Sequence, residues 1–208
     1  MNEASIEFAQ SAAQRIKELV PQLNRSGVKI LDFGCGNGLL TYYLQEVFFE
    51  STVIGIDTDK KKIQEVCVNY PEITFQEIKN NEQLPFSDAS FDLIVVSLTL
   101  HHIQKNKHKK IINELMRVLK KDGYLICLEL NLYNFSTRQS FYNDLQEQGN
   151  TLLSPRYLKS LLKNIGKTST YYFNFFSKYL SFFEFLEPYL WWLPFGQWYL
   201  VVCKKLGK

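Results

Sequence analysis

The chain has 208 residues, enough for one large domain or one domain with a long embellishment, and too few for two full domains joined by a linker. With 46% apolar and 22% charged residues it folds around a core, which excludes disordered and collagen-like classes. A net charge of +3 is too small to argue by itself for a nucleic-acid partner.

The first element is a helix over 5–19, where Ile6, Ala9, Ala13, Ile16 and Leu19 form an apolar stripe of helical period, ended by Pro21. Short apolar runs then alternate with helical patterns. VKILDF at 28–33 reads as a strand, 39–48 as a helix, TVIGID at 52–57 as a strand and 59–68 as a helix. ITFQEI at 73–78 and FDLIVVSL at 91–98 follow as strands. A helix over 106–119 presents Ile111, Ile112, Leu115, Met116 and Leu119 on one side, and GYLICLEL at 123–130 is a fifth strand after an Asp122-Gly123 helix stop. Parallel strands this apolar must be covered on both faces, so the alternation predicts right-handed βαβ units in an α/β fold.

Beyond Leu130 the alternation breaks into a polar stretch. A helix over 154–164 with Pro155 in its first turn, a strand-like YYFNFF and an apolar WYLVVCKK at 198–205 complete the chain. The expected organisation is a single domain over 1–208, with an N-terminal helical region at 1–27, a core at 28–130, and substrate-side additions at 131–153 and 177–197. Cys35, Cys67, Cys127 and Cys203 lack C-x-x-C spacing, and the first twenty residues lack a continuous apolar stretch. Reduced thiols in a cytoplasmic protein are therefore expected. No run of 18 apolar residues announces a spanning helix.

ILDFGCGNG joins the first strand to the helix over 39–48, with glycines at 34, 36 and 38. Glycine allows tight turns and close ligand approach, and a helix start offers unpaired N–H groups, so this turn suits a polar or anionic ligand. The dinucleotide fingerprint G-x-G-x-x-G would require glycine where Leu39 stands. Asp32, two residues before the first glycine, would repel a pyrophosphate and suits a ligand carrying an ammonium.

The string LDFGCGNG resembles the first motif of class I S-adenosylmethionine-dependent methyltransferases, an Asp or Glu followed by G-x-G-x-G. The resemblance implies S-adenosyl-L-methionine as cofactor, with its methionyl part against Gly34, Cys35, Gly36 and Gly38 beside Asp32. Asp57, which closes the second strand, then accepts from the ribose hydroxyls, a helix cap being its plain alternative. Thr58 would line the adenosine pocket and Asp59 would cap the next helix. The run IKNNEQLPFSDASFDLIVVS resembles the family's loop after strand three, where Asp is common near the position of Asn80. Asn80 or Asn81 would take the adenine edge through its amide carbonyl. Ser97 closes the fourth strand at the same end of the sheet, where open α/β sheets place their ligands. The family implies a Rossmann-like sandwich with a mostly parallel seven-stranded sheet and an antiparallel C-terminal strand beside strand five. NAD binding is the second reading.

Methyl transfer from a sulfonium has a good leaving group already, so the protein mostly aligns an acceptor and sheds water. His101 and His102, in SLTLHHI, are the catalytic candidates, as proton acceptor for a hydroxyl or as anchor, against the alternative of a hydrogen-bonded loop role. The pair resembles a frequent feature of small-molecule methyltransferases of this class. His108 is the only other histidine and the cysteines are unspaced, so no metal is expected.

Acceptor choice falls to the additions. Tyr133, Asn134 and Arg138 offer hydrogen bonds, and Arg138 can grip a carboxylate or phosphate, with a polar surface loop as the alternative. Between Tyr171 and Tyr199 stand 15 aromatic residues and three charged ones. Such a segment suits sheet cover, an acyl pocket, a dimer contact or peripheral contact at the inner face of a membrane. It resembles the end of a methyltransferase subgroup linked to polysaccharide or lipid-linked sugar pathways, which implies a small hydrophobic, lipid-linked or saccharide acceptor. Lys105, Lys107, Lys109, Lys110, Arg117, Lys120 and Lys121 could contact phosphates or simply solvate a helix face. RNA methylation is therefore the second enzyme class, and a noncatalytic cofactor-binding or interaction protein the third.

Overall fold

Ile30, Leu31 and Phe33 are all fully buried, although successive side chains of a strand point to opposite faces. The first strand must therefore be covered on both sides, as the apolar runs anticipate. In the computed structural model, which describes residues 3–144, 147–176, 182–183 and 185–206, this cover is present. The parallel strands are β1 (Lys29–Phe33), β2 (Thr52–Asp57), β3 (Thr74–Glu77), β4 (Phe91–Ser97) and β5 (Leu119–Leu130). They alternate with α2 (Leu39–Val47), α3 (Lys60–Asn69) and α4 (Lys105–Val118), after an opening α1 (Glu3–Leu19). After β5 come α5 (Phe135–Asn143), α6 (Pro155–Leu161), β6 (Gly166–Phe173), the short α7 (Glu187–Leu190) and β7 (Trp198–Lys205). The sheet order is β3-β2-β1-β4-β5-β7-β6, and β7 is antiparallel to both neighbours. The seven-stranded sheet and its antiparallel strand beside β5 thus match expectation.

The central strands feed two cores. Leu31, Phe33, Ile94 and Val96 join Ile111, Ile112 and Leu115 of α4, whereas Ile30, Leu93 and Val95 join Ala9, Ala13 and Ile16 of α1 and Leu40 and Leu44 of α2. The alternation of pleated side chains explains this division. Leu84 is buried in the α4 core and Phe86 packs edge-on against Phe91, so L-P-F plugs the loop.

Three expectations need correction. The polar stretch after β5 contains α5, because Asn134 caps it by accepting from the Thr137 N–H at 2.9 Å. Asp122-Gly123 does not stop a helix: α4 ends at Val118 and Leu119 already pairs with Phe91, so the two residues lie in a register shift of β5, with Asp122 at φ +59°. The strand expected at YYFNFF begins at Gly166 and stops at Phe173, because its pairing follows β7 from Lys205 to Trp198. Of the expected addition at 177–197, residues 177–181 and 184 lie outside the described residues.

Candidate functional site

β1 and β2 end side by side, which brings Asp32 and Asp57 to one rim of the sheet. The chain must turn sharply there into α2. Gly34 takes φ +77°, and its N–H and that of Cys35 both donate to the Ile56 carbonyl. A β-carbon at Gly34 would overlap the Thr99 side chain, so glycine is required by packing as well as by φ. Gly36, at φ +53°, is different: a β-carbon there meets nothing within 4 Å and would project into open space.

That space is a cleft of about 880 Å³. One wall carries Asp32, Gly34, Cys35, Gly36, Asp57, Thr58 and Asn81, and the other Ser97, Leu98, Thr99, His102 and Ile103. Phe8 of α1 and Trp198 of β7 also line it, their rings 4.3 Å apart. Sequence reasoning did not single out Phe8, Lys62 or Ile103, which also line the cleft and carry no local motif. Leu98 adopts φ +50° at the end of β4, a strained conformation held by its N–H bond to the Leu128 carbonyl.

Asp32 is buried and accepts from Thr41 Oγ1 at 2.7 Å. Burial lifts its pKa to about 7, against the lowering effect of Thr41, and the charge of Asp57 adds to the rise. Asp57 accepts from the Gly36 N–H at 3.0 Å through Oδ2 and from the Asp59 N–H at 2.9 Å through Oδ1. Each oxygen keeps a lone pair after these bonds. Asp59 is the cap of α3, accepting from Lys61 and Lys62 N–H groups. Burial and the two aspartates push the Cys35 thiol up, so it packs as a neutral group.

Asn80 and Asn81 separate. Asn80 is exposed, absent from the cleft, and its Oδ1 accepts from the Glu82 and Gln83 N–H groups at 2.9 Å, whereas Asn81 lines the wall. Tyr133 and Arg138 are exposed outside the cleft. Asn134 is occupied as the α5 cap and donates to the Phe195 carbonyl at 2.7 Å.

The histidines also divide. His101 is buried, with Nδ1 2.6 Å from Glu129 Oε2, while the other oxygen of Glu129 accepts from the Leu100 N–H at 3.1 Å. Burial opposes charging of His101, but the hydrogen bond and charge of Glu129, with the charge of Glu147, outweigh it and raise the pKa. His102 is half exposed and lines the cleft; its pKa is lowered by desolvation and by His101. Its Nδ1 accepts from Asn150 Nδ2 at 2.7 Å. His108 faces elsewhere: Nε2 meets the carbonyls of Leu100 and Ile103, each at 2.9 Å, and Nδ1 meets Tyr157 OH at 3.0 Å. The reading from sequence missed Glu129, although a single carboxylate inside the apolar GYLICLEL run is a signal for a buried polar partner.

Residues 31–127 match the family described as Methyltransferase domain. An uncharacterized methyltransferase of Synechocystis sp. is 34% identical over 105 residues, covering 50% of this chain and 48% of that protein. The ubiquinone/menaquinone biosynthesis C-methyltransferase of Campylobacter jejuni is 28% identical over 170 residues, covering 78% of this chain and 64% of that protein. The chain thus spans about half to two thirds of the length of the curated relatives it matches. A solved SAM dependent methyltransferase from Archaeoglobus fulgidus has the same fold, with a TM-score of 0.69 and 19% identity over 95% of this chain and 94% of that one.

Proposed function

We propose, from the premise that the chain belongs to the class I S-adenosylmethionine-dependent methyltransferases, that it methylates a small hydrophobic acceptor, quinone-like or lipid-linked, with a saccharide-bearing lipid as a variant. The observation that carries the reading is one cleft in which Asp32, the glycine turn and Asp57 face His102. When bound, S-adenosyl-L-methionine supplies an electrophilic methyl on a good leaving group.

The residues present fit that cofactor. Asp32 offers its carboxylate to the ammonium, and the bare backbone at Gly36 admits close approach. The free lone pairs of Asp57 suit two ribose hydroxyls. Thr58 and Asn81 flank the base, Asn81 taking the part for which Asn80 was the other candidate. Ser97 shapes the floor, Phe8, Ile103 and Trp198 exclude water, and Cys35 and Gly38 support the turn. At the far end His102 orients an acceptor hydroxyl or takes its proton, and His101, fixed by Glu129, holds the pair in place. Tyr133, Asn134 and Arg138 act at the approach rather than in the cleft.

The name of the Campylobacter relative and the aromatic wall support an apolar acceptor. No helix among the described residues is long and apolar enough to cross a membrane. Exposed Phe182, Phe185, Tyr189, Trp191, Trp192 and Phe195 would give peripheral contact with a bilayer that holds the acceptor. Lys107 and Lys110 pair with Glu82, and Lys120 with Asp92, which takes charge away from an RNA-binding row.

Calorimetry should show S-adenosylmethionine and S-adenosylhomocysteine binding and NAD failing; selective NAD binding would sink the cofactor assignment. Incubation with methyl-labelled S-adenosylmethionine and separated lipid, small-molecule, RNA and protein fractions should label an organic-extractable product. Protein-dependent label confined to RNA would overturn the acceptor class.

A further inference from the structure

Glu129 is a carboxylate and can only accept, so the 2.6 Å contact places a proton on His101 Nδ1. In the neutral ring Nε2 is then a lone pair. This atom is buried without a hydrogen-bond partner, on a side chain 1% exposed, and points at Glu147 Oε2, 3.6 Å away. His102 Nδ1 stands 4.0 Å from the same oxygen and is itself accepting, from Asn150. Three potential ligand atoms from two distant parts of the chain therefore converge: a proton on Nε2 would pair His101 with Glu147 alone, whereas a bound cation would engage all three at once.

We propose that His101 Nε2, His102 Nδ1 and the Glu147 carboxylate form a binding site for a divalent metal ion of the zinc class. One ligand atom from each of the three residues lies within 4.8 Å of those of the other two, and Glu147 Oε2 is 3.6 Å from His101 Nε2 and 4.0 Å from His102 Nδ1. Zinc bonds of roughly 2.0–2.2 Å in tetrahedral geometry set ligand atoms about 3.3–3.6 Å apart, so movements of about an ångström close the site. Two imidazoles and one carboxylate are a common zinc donor set that leaves one position for an exchangeable ligand. Glu129 behind His101 supplies the outer carboxylate that fixes tautomer and ring orientation in such sites. Asn150 Nδ2, which donates to His102 Nδ1 at 2.7 Å and to Glu147 Oε2 at 3.0 Å, would give way on binding.

The ion would clip the turn beyond α5 onto the loop after β4, at the cleft wall that carries His102. This deepens the proposed function and rests on its placing of the acceptor end there. The sequence expectation of no metal considered His108 as the third ligand; Glu147, 45 positions beyond His102, had no spacing signal.

The test uses the purified full chain, stripped with a chelator. Zn²⁺ is titrated by calorimetry and Co²⁺ by its visible absorption, with S-adenosylmethionine affinity measured on the same samples. One ion should bind per chain, with tetrahedral cobalt bands. Glu147→Gln and His102→Ala, both partly exposed positions, should weaken binding at least ~10-fold, and Glu129→Gln should weaken it roughly 10–100-fold without touching the ion. Absence of saturable binding, or binding unchanged in both Glu147→Gln and His102→Ala, would overturn the site. Zinc failure with intact S-adenosylmethionine binding removes the metal alone; zinc binding without cofactor binding supports the metal site and removes the methyltransferase reading.

Discussion

At the glycine-turn end of the cleft, the side-chain partners of the two aspartates are close in sequence: Thr41 lies 9 positions from Asp32, and Gly36 and Asp59 lie 21 and 2 from Asp57. At the histidine end, His101 reaches Glu129 across 28 positions, His102 reaches Asn150 across 48, and His108 reaches Tyr157 across 49. One end is shaped by two adjacent strand-to-helix turns. The other depends on segments beyond β5 docking against the loop after β4. Cofactor geometry can thus stay fixed while acceptor geometry changes with the additions, since an altered 131–157 segment leaves the first two turns untouched.

The comparison breaks first at Gly36. Gly36→Val should lower S-adenosylmethionine affinity by two to three orders of magnitude, about 3–4 kcal/mol, because the new side chain enters the cleft. Backbone strain at φ +53° adds only about 1–3 kcal/mol of lost stability, so the protein should remain folded by circular dichroism. Undiminished affinity would show that the turn does not meet the ligand. At the other end, Glu129→Ala should act on stability instead. It leaves the Leu100 N–H and His101 Nδ1 without their buried acceptor, at a cost of about 2–3 kcal/mol. For a chain of this size, thermal denaturation should fall by roughly 4–12 °C, while cofactor affinity falls far less than in Gly36→Val. Equal losses of affinity in the two variants would mean that the ends are coupled.

Asp32 sharpens the local end. Its folded pKa of about 7 lies above the ordinary carboxylate value of 3.8, so the folded protein holds this proton more tightly. Its contribution to stability therefore falls as pH rises from about 4 to about 7, and Asp32→Asn should remove that slope from denaturant titrations. A ligand ammonium favours the ionised form. Affinity for S-adenosylmethionine should rise about tenfold, roughly 1.4 kcal/mol, between pH 6 and 8, with proton release at the lower pH. A flat profile would remove Asp32 from contact with the ammonium.

The same contrast explains what was legible in the sequence. LDFGCGNG contains its own strand, turn and helix start, so the turn and the aspartates beside it could be read directly. The alternating runs likewise gave the parallel strands, because burial on both faces leaves a continuous apolar signature. Asn80 and Asn81 could not be separated, since only the backbone of the turn decides which side chain caps it and which faces the cleft. The α5 helix was hidden because only Thr137 and Phe141 of its nine residues are buried, which leaves no apolar stripe. Glu129, Glu147 and Asn150 reach the histidines only through tertiary docking, and no periodicity reports that. Phe8 and Trp198 meet from opposite ends of the chain.

Tyr157 gives the smallest test of the non-local end. His108 Nε2 faces two carbonyls, which only accept, so the ring proton sits on Nε2 and Nδ1 accepts from the Tyr157 hydroxyl. Tyr157→Phe removes that donor and retains the ring that packs against the α4 core. A neutral hydrogen bond of this kind contributes about 0.5–1.5 kcal/mol, so thermal denaturation should fall by roughly 1–6 °C. Leu100 and Ile103 are the residues whose carbonyls His108 holds, and they flank the histidine pair. If α6 positions that pair through His108, methyl transfer should decline in Tyr157→Phe while S-adenosylmethionine affinity at the glycine turn stays within about twofold of the parent. A matching fall in cofactor affinity would show that the loop after β4 transmits disturbance across the cleft, and the division into a local and a docked end would have to be abandoned.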